Sequence, residues 1–262
     1  MSAEAGQWPN ARWIATFLEA QAAEAGAARN TILAYSRDLN NFSAFLEVNS
    51  EHFATLPRDR IEAYLIRLEA EGLAKSTRAR RLSAIRQLFR FAYDEGWRSD
   101  DPALTLSGPG KAQRLPKVLT IEEVEALLEA ARDQGRSVSE QVRNRCLMEL
   151  LYATGMRVSE LVTLPVAAAR GNPAMLLIRG KGGKERMVPL SPPAREALAG
   201  WLVTRDAAED EARIARRVPP SRFLFPSSGK EGHFTRQAFH ALLKEIAIAA
   251  GIAPARVTPH VL

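Results

Sequence analysis

The sequence predicts a mainly α-helical protein of two domains, the second of which contains one small β-hairpin. Apolar residues recur at helical spacing through residues 8–100 and predict helices only. A glycine- and proline-rich stretch follows, with no such pattern. Two short apolar runs, residues 174–178 and 186–190, flank a glycine-rich turn and are typical of a hairpin. The predicted organisation is a helical domain at 8–105, a basic linker at 106–117 and a second domain at 118–262.

Four amphipathic helices are expected in the first domain. The first contains Trp13 with further apolar residues at helical spacing, and the second begins near Asn30, a residue type that caps helix N-termini. The third follows Pro57 and ends at Gly72. Ser76 is expected to cap the fourth helix.

The outer face of the fourth helix is basic. Arg80, Ser83, Gln87 and Arg90 fall opposite its apolar side, with Arg86 beside them. The stretch from 71 to 90 holds one acid and six basic residues, namely Lys75, Arg78, Arg80, Arg81, Arg86 and Arg90. A merely solvated face more often mixes acids among its bases. We therefore predict that this face lies along DNA, with contacts from Lys75, Arg80, Arg86 and Arg90.

The predicted linker is also basic. It carries Lys111 and Arg114 and has no acid between residues 106 and 117. Such a linker can follow DNA phosphates while two domains close on a duplex. A plain solubilising connection is equally consistent with its composition.

The second domain is predicted to begin with a capped helix. Thr120 and Glu123 have the spacing of a capping box, and Gly155 interrupts the helical pattern further on. Helices are predicted at about 120–132, 140–153, 158–164, 193–202 and 235–251. Residues 205–217 are strongly charged and are either helical or a loop.

Composition excludes several classes of protein. The 262 residues are 46% hydrophobic and 25% charged, with a formal net charge of +6, which suits a folded protein with a polyanionic partner. No apolar run approaches ~18 residues and the N-terminus does not resemble a secretory signal, so a cytoplasmic location is expected. No Cys/His cluster suggests zinc. Core positions are expected for the single cysteine and the four tyrosines, namely Cys146, Tyr35, Tyr64, Tyr93 and Tyr152.

Arg157 is the first candidate for binding a phosphate. It follows Thr154-Gly-Met, and a glycine there lets the backbone turn and brings a helix N-terminus close to a ligand. Its planar guanidinium suits two phosphate oxygens. Glu160, three residues on, can orient that guanidinium, although an Arg–Glu pair on a helix is also a common structural contact.

Lys181 and His260 are two further cationic candidates. Lys181 lies between glycines at the tip of the predicted hairpin, where its ammonium can neutralise charge or donate a proton to a leaving oxygen. Lys184 competes for this role in the same turn. His260 follows Pro259 and can donate to a phosphate oxygen or transfer a proton. Taken singly, an exposed hairpin lysine or a structural histidine is the commoner case.

The order and spacing of these residues resemble one family. The stretch Ala-Thr-Gly-Met-Arg-Val-Ser-Glu-Leu at 153–161 resembles the first catalytic box of the tyrosine recombinase (phage-integrase-like) family, and in particular of the bacterial Xer recombinases. Residues 180–190 are similar to the family's β-hairpin lysine box, and residues 258–262 to the start of its His-x-x-Arg box. Supporting matches occur along nearly the whole chain, at residues 30–39, 101–102, 114–117, 224–226 and 235–237.

This resemblance implies a SAM-like core-binding domain followed by a mixed α/β catalytic domain of the DNA breaking-rejoining type, incomplete at its C-terminus. It implies that Arg157, Lys181 and His260 are catalytic residues. It also implies that the DNA backbone is contacted by Thr235, Arg236 and Gln237. In the family a tyrosine attacks a DNA phosphodiester and forms a 3′-phosphotyrosyl bond, which stores the bond energy, so no cofactor and no metal are required.

The implied partners follow from the same resemblance. They are double-stranded DNA with a specific recombination site, a paralogous XerC-like recombinase in a heterotetramer on that DNA, and the division-septum DNA translocase FtsK. The implied function is the resolution of chromosome dimers at cell division.

The sequence departs from the family pattern at its end. The second arginine of the site would be the residue after Leu262, and no tyrosine follows Tyr152. We therefore expect a C-terminally truncated fragment that cannot cleave DNA as written. Two other interpretations stay open, a non-catalytic DNA-binding module and an integrase of a mobile element.

Overall fold

The computed structural model describes residues 7–23, 26–110, 118–180, 183–217, 219–259 and 261. The chain divides into two compact units, residues 1–113 and 114–262. Both units are mainly helical, and the described part of the second contains a two-stranded antiparallel sheet, so the predicted fold class is confirmed. None of the described helices combines the length and apolar character needed to cross a bilayer.

The first unit is a helical domain with an aromatic core. Its helices are α1 (Asn10–Ala23), α2 (Arg29–Glu47), α3 (Arg58–Ala70) and α4 (Lys75–Asp94). Trp13, Phe42 and Phe89 are fully buried between them, and burying each such ring stabilises the fold by roughly 2–3 kcal/mol. The loop before α3 is fixed by Asn10, whose side chain accepts from the Phe53 N–H at 2.8 Å and donates to a carbonyl at 3.1 Å.

The predicted caps of two helices are wrong. Asn30 and Ser76 lie in the second position of α2 and α4, inside the first turn. The residues at the capping positions, Ala28 and Ala74, make no side-chain capping bond. Because both helix ends are open to solvent, water can satisfy the first N–H groups, and a side-chain cap is not required.

The second unit is built around one central helix. Its helices are α5 (Ile121–Asp133), α6 (Val138–Thr154), α7 (Val158–Val162), α8 (Val166–Ala169), α9 (Pro192–Arg216) and α10 (Arg236–Ala249). Every residue of α6 from 146 to 151 is buried, so this helix is covered on all sides. The predicted capping box is present at the start of α5, where Thr120 accepts from the Glu123 N–H and the Glu123 carboxylate accepts from the Thr120 N–H.

The hairpin of the second unit consists of β1 (Met175–Arg179) and β2 (Glu185–Pro189). Each strand lies one residue nearer the turn than predicted. Leu176 pairs with Val188 and Ile178 pairs with Arg186, which places these four side chains on the inner face of the hairpin. The three apolar members of this set are buried, so this face attaches the hairpin to the core.

The charged residues 205–216 continue a long helix rather than forming a loop, and Arg217 ends it. Arg205 is 2% exposed and its Nε donates to the Phe223 carbonyl at 3.2 Å. Asp206 accepts from Arg170 Nη2 at 2.9 Å. These contacts hold one side of α9 against the unit and extend the helix to Arg216.

Two of the four tyrosines are not core residues. Tyr64 is buried and Tyr35 is half-buried, but the exposed fractions of Tyr93 and Tyr152 are 49% and 46%. Each of these two follows directly on a buried helical residue, and a helix turns by about 100° per residue, which brings them to the surface. Cys146 is fully buried as predicted, and burial raises the pKa of its thiol well above the usual value.

Candidate functional site

Arg157 stands between two helices of the second unit. Gly155 ends α6 in the left-handed conformation, with φ of 56°, and its N–H donates to the Leu151 carbonyl. Met156 is buried and anchors the turn. Arg157 then takes the capping position of α7 in an extended conformation, and 63% of its side chain is exposed. The turn therefore presents the guanidinium to solvent from a fixed backbone.

Glu160 holds this arginine in place. One carboxylate oxygen accepts from Arg157 Nη1 at 3.0 Å and the other accepts from the Arg157 backbone N–H at 2.9 Å. Only 5% of the Glu160 side chain is exposed. Hydrogen bonds from Arg186 and then from Arg157 lower the pKa of Glu160 from 4.5 to about 2, although its burial opposes the shift. The carboxylate is therefore ionised throughout the physiological range of pH.

Arg186 is a site residue that the sequence analysis missed. It lies on β2, and its Nη2 and Nη1 donate to the two oxygens of Glu160 at 2.8 and 3.3 Å. The signal was present in the sequence, because Arg186 alternates with Met187 and so shares the inner face of the strand with Val188. A charged residue on a core-facing strand position predicts a buried partner of opposite charge.

Two depressions adjoin this cluster. A groove of about 290 Å³ is lined by Arg157, Ser159, Glu160, Thr163, Arg179 and Gly180. A larger cavity of about 640 Å³ lies between α7, α8 and β1 and shares Glu160, Thr163, Arg179 and Gly180 with the groove. The smaller groove exposes the cationic side of the cluster and suits an anionic group such as a phosphate.

The other two predicted catalytic residues, Lys181 and His260, lie outside the described residues. The base of the turn that carries Lys181 is described, and the Gly180 N–H donates to the Lys184 carbonyl at 2.7 Å. Lys184 itself is exposed at this turn.

The backbone leading toward His260 is held from two sides. The Lys244 ammonium of α10 donates to the Val257 carbonyl at 2.6 Å and also to the Pro254 carbonyl. Arg256 Nη2 donates to Glu123 Oε2 at 2.9 Å, and this contact is the first cause of the lowered pKa of Glu123. Residues 254–257 are thereby fixed to both α10 and the start of α5.

The predicted DNA-backbone contacts lie at the N-terminus of α10. Thr235 caps the helix, with its hydroxyl accepting from the Ala238 N–H at 3.1 Å. Arg236 and Gln237 are exposed in the first turn. An uncompensated helix N-terminus with an exposed arginine attracts anions.

The basic face of α4 is partly tied into the first unit. Lys75, Ser83 and Gln87 are exposed, and Arg90 pairs with Asp94 at 3.0 Å across one turn. Arg80 pairs with Asp38, whose side chain is 2% exposed. Arg80 is therefore both a surface cation and the partner of a buried carboxylate.

Arg86 differs from the outward-facing residue that the pattern predicts. It is half-buried, and its Nη2 donates to the carbonyl of Leu106. This contact fastens the segment after α4 to the helix, so the guanidinium stabilises the fold of the first unit.

The linker residues predicted to contact DNA are Lys111 and Arg114. Both lie outside the described residues.

No group of three or more His, Cys, Asp or Glu side chains in the described part of the chain is arranged to hold a metal ion. The cluster around Glu160 is built of arginines and one carboxylate, a donor set that binds anions rather than cations.

Comparison with protein families gives two matches that together span most of the chain. Residues 117–262 match the Phage integrase family, and residues 14–96 match its N-terminal SAM-like domain. The first match covers more than half of the chain and includes every residue of the Glu160 cluster.

Curated relatives are similar over nearly the full length. The tyrosine recombinase XerD of Bradyrhizobium diazoefficiens is 45% identical over 260 residues, which cover 97% of this chain and 81% of that protein. XerD of Caulobacter vibrioides is 43% identical over 250 residues, with coverage of 95% and 80%. These relatives confirm the resemblance to the Xer recombinases, and both are named XerD rather than XerC.

Solved structures share the fold at low identity. A XerH site-specific recombinase bound to palindromic difH substrate in a post-cleavage complex has a TM-score of 0.72 at 22% identity, covering 96% of this chain and 70% of that one. A lambda integrase tetramer bound to a Holliday junction has a TM-score of 0.65 at 17% identity, with coverage of 93% and 64%.

Proposed function

Because the chain belongs to the phage integrase family of tyrosine recombinases, we propose that it functions in site-specific DNA recombination through a 3′-phosphotyrosyl intermediate, and that these 262 residues supply the phosphate-binding part of the site. The observation that carries this proposal is the presentation of Arg157 from a fixed turn, with its guanidinium oriented by the buried Glu160. A preorganised cation of this kind stabilises the negative charge that develops on the non-bridging oxygens of a phosphoryl group.

Arg157, Lys181 and His260 share the work at the scissile phosphate. Arg157 binds the non-bridging oxygens, Lys181 donates a proton to the leaving 5′ oxygen, and His260 donates to a phosphate oxygen or transfers a proton. The remaining DNA contacts come from the exposed cations of α4 and from the start of α10, with Arg236 and Gln237 on the backbone.

The cellular role we propose is the resolution of chromosome dimers at cell division in the cytoplasm. Its support is the name XerD carried by the relatives that cover 95% or more of this chain. In this role the protein acts with a XerC-like paralogue in a heterotetramer on DNA and with the translocase FtsK. Deleting the gene should leave unresolved chromosome dimers. Normal segregation in the deletion strain would instead favour the integrase of a mobile element.

DNA recognition is tested by selecting duplexes from a randomised pool with the purified chain. We expect enrichment of one sequence and salt-dependent binding to it. Arg157→Gln should weaken binding to the selected duplex, whereas Arg213→Gln removes an equal charge from an exposed pair on α9 and should change it little. No enrichment, or equal binding by the two variants, would contradict the proposal.

A second candidate function is DNA binding without cleavage by these 262 residues. The observation that favours it is the placement of all four tyrosines at or before residue 152, with Tyr64 buried in the first unit. Incubation with a nicked suicide substrate should give no covalent protein–DNA adduct, while the XerD of Bradyrhizobium diazoefficiens serves as the positive control on its own substrate. An adduct with this chain would exclude the non-catalytic function.

A further inference from the structure

We propose that Arg186 is a positioning residue of the phosphate site and acts on Arg157 through Glu160. The inference deepens the proposed function and rests on it, because it concerns how the same site is held. Arg186 lies within the stretch 180–190 that resembles the family's hairpin box, but the resemblance gives it no role and the predicted catalytic residues do not include it.

The hydrogen bonds around Glu160 are unequal. Arg186 uses two guanidinium nitrogens, one on each carboxylate oxygen, at 2.8 and 3.3 Å. Arg157 uses one guanidinium nitrogen, at 3.0 Å, together with its backbone N–H. The Arg186 side chain is 39% exposed and that of Arg157 is 63% exposed. Arg186 therefore commits more of its guanidinium donors to Glu160 than Arg157 does. The guanidinium of Arg157 keeps N–H donors free for a ligand.

The charges of the cluster lead to the same assignment. Two guanidinium groups share one carboxylate, so the three side chains carry a net charge of +1. If Arg186 were neutral, Glu160 would balance Arg157 alone and the cluster would be uncharged. A phosphate would then have to compete with the carboxylate for the one remaining cation. Arg186 thus keeps Arg157 available to an anion.

The same contact joins the hairpin to the segment that carries Arg157. Arg186 stands on β2, and the sequence places Lys181 in the turn between β1 and β2. Glu160 belongs to α7, which Arg157 caps. The ion pair between Arg186 and Glu160 therefore sets the base of the hairpin against the helix that carries the first catalytic arginine. One contact positions both elements.

The test measures how the association constant for the selected duplex depends on salt. Each phosphate that a protein neutralises contributes about 0.9 to the slope of log K against log[salt]. We expect Arg186→Gln to reduce the magnitude of the slope by about 0.9 and to weaken binding by about eightfold near 0.1 M salt. The same losses are expected for Arg157→Gln. The double variant should lose no more than either single variant, because both act on one phosphate contact. Arg213→Gln is the charge-matched control and should leave the slope unchanged.

A conservative variant separates positioning from folding. Arg186→Lys keeps the charge of the cluster and can still donate to one oxygen of Glu160, so it should retain the wild-type slope. Additive losses in the double variant would show that Arg186 has its own phosphate contact and would overturn the inference. Loss of helical circular dichroism in Arg186→Gln, or a Lys variant as weak as the Gln variant, would also overturn it. If Arg157→Gln itself has no effect, the proposed function fails, and this inference fails with it.

Discussion

Replacing Glu160 by glutamine tests the energetics of the cluster directly. The pKa of Glu160 is about 2 in the folded protein against an ordinary value of 4.5. Each unit of pKa is worth about 1.4 kcal/mol, so the ionised carboxylate stabilises the folded state by about 3 kcal/mol at pH 7. Because the folded pKa is the lower one, this contribution is complete above pH 4.5 and is lost as the pH falls toward 2. At pH 3.5 about 2 kcal/mol should remain.

Urea unfolding of the wild type and of Glu160→Gln at pH 7 and pH 3.5 measures these differences. The variant should be less stable by about 3 kcal/mol at pH 7 and by about 2 kcal/mol at pH 3.5. Glu129→Gln is the matched control, because Glu129 pairs with Arg132 on the surface and such pairs are worth under about 1 kcal/mol. The reasoning is refuted if the two variants are equally stable, or if the deficit of Glu160→Gln is the same at both pH values.

Three further outcomes are expected. Asp38→Asn should destabilise the first unit by about 2 kcal/mol in a thermal melt, because it removes the charge-assisted hydrogen bond that the buried carboxylate accepts from Arg80, and an unchanged melt would contradict this. Gly155→Ala should cost about 1 kcal/mol because of its φ of 56°, whereas Gly200→Ala inside α9 should not destabilise the chain, and equal effects in chemical unfolding would refute the argument. Cys146 should react with a thiol reagent only in denaturant, and rapid labelling of the native chain would show that it is not enclosed.

Local patterns predicted those elements whose signals lie within a few neighbouring residues. The capping box at Thr120 and the ends of the hairpin depend on short-range hydrogen bonds and on alternation, and both are present within one residue of the prediction. Arg157 and Glu160 were paired correctly because they are three residues apart on one helix.

Contacts between distant parts of the chain were not predictable in this way. The extension of α9 depends on Arg205 meeting the Phe223 carbonyl, and the cluster depends on Arg186 meeting Glu160, which is 26 residues away. Similarly, a helical projection predicts Arg86 to be a surface cation. Its hydrogen bond to the Leu106 carbonyl depends on the path of the chain after α4, which the helical pattern does not show. A single sequence carries no direct record of such pairings.

The close approach of Gly180 to Glu160 restricts how this protein can evolve. A methyl group at position 180 would lie 3.3 Å from Glu160 Oε1 and 3.5 Å from Arg186 Nη1. A carboxylate oxygen that moved away from this methyl group would strain its hydrogen bonds to both arginines. Glycine is favoured here by space and not by backbone conformation, because it is not among the residues with positive φ. Substitutions at positions 160 and 180 are therefore expected to be coupled, because the acid at position 160 sets the space that a side chain at position 180 would need.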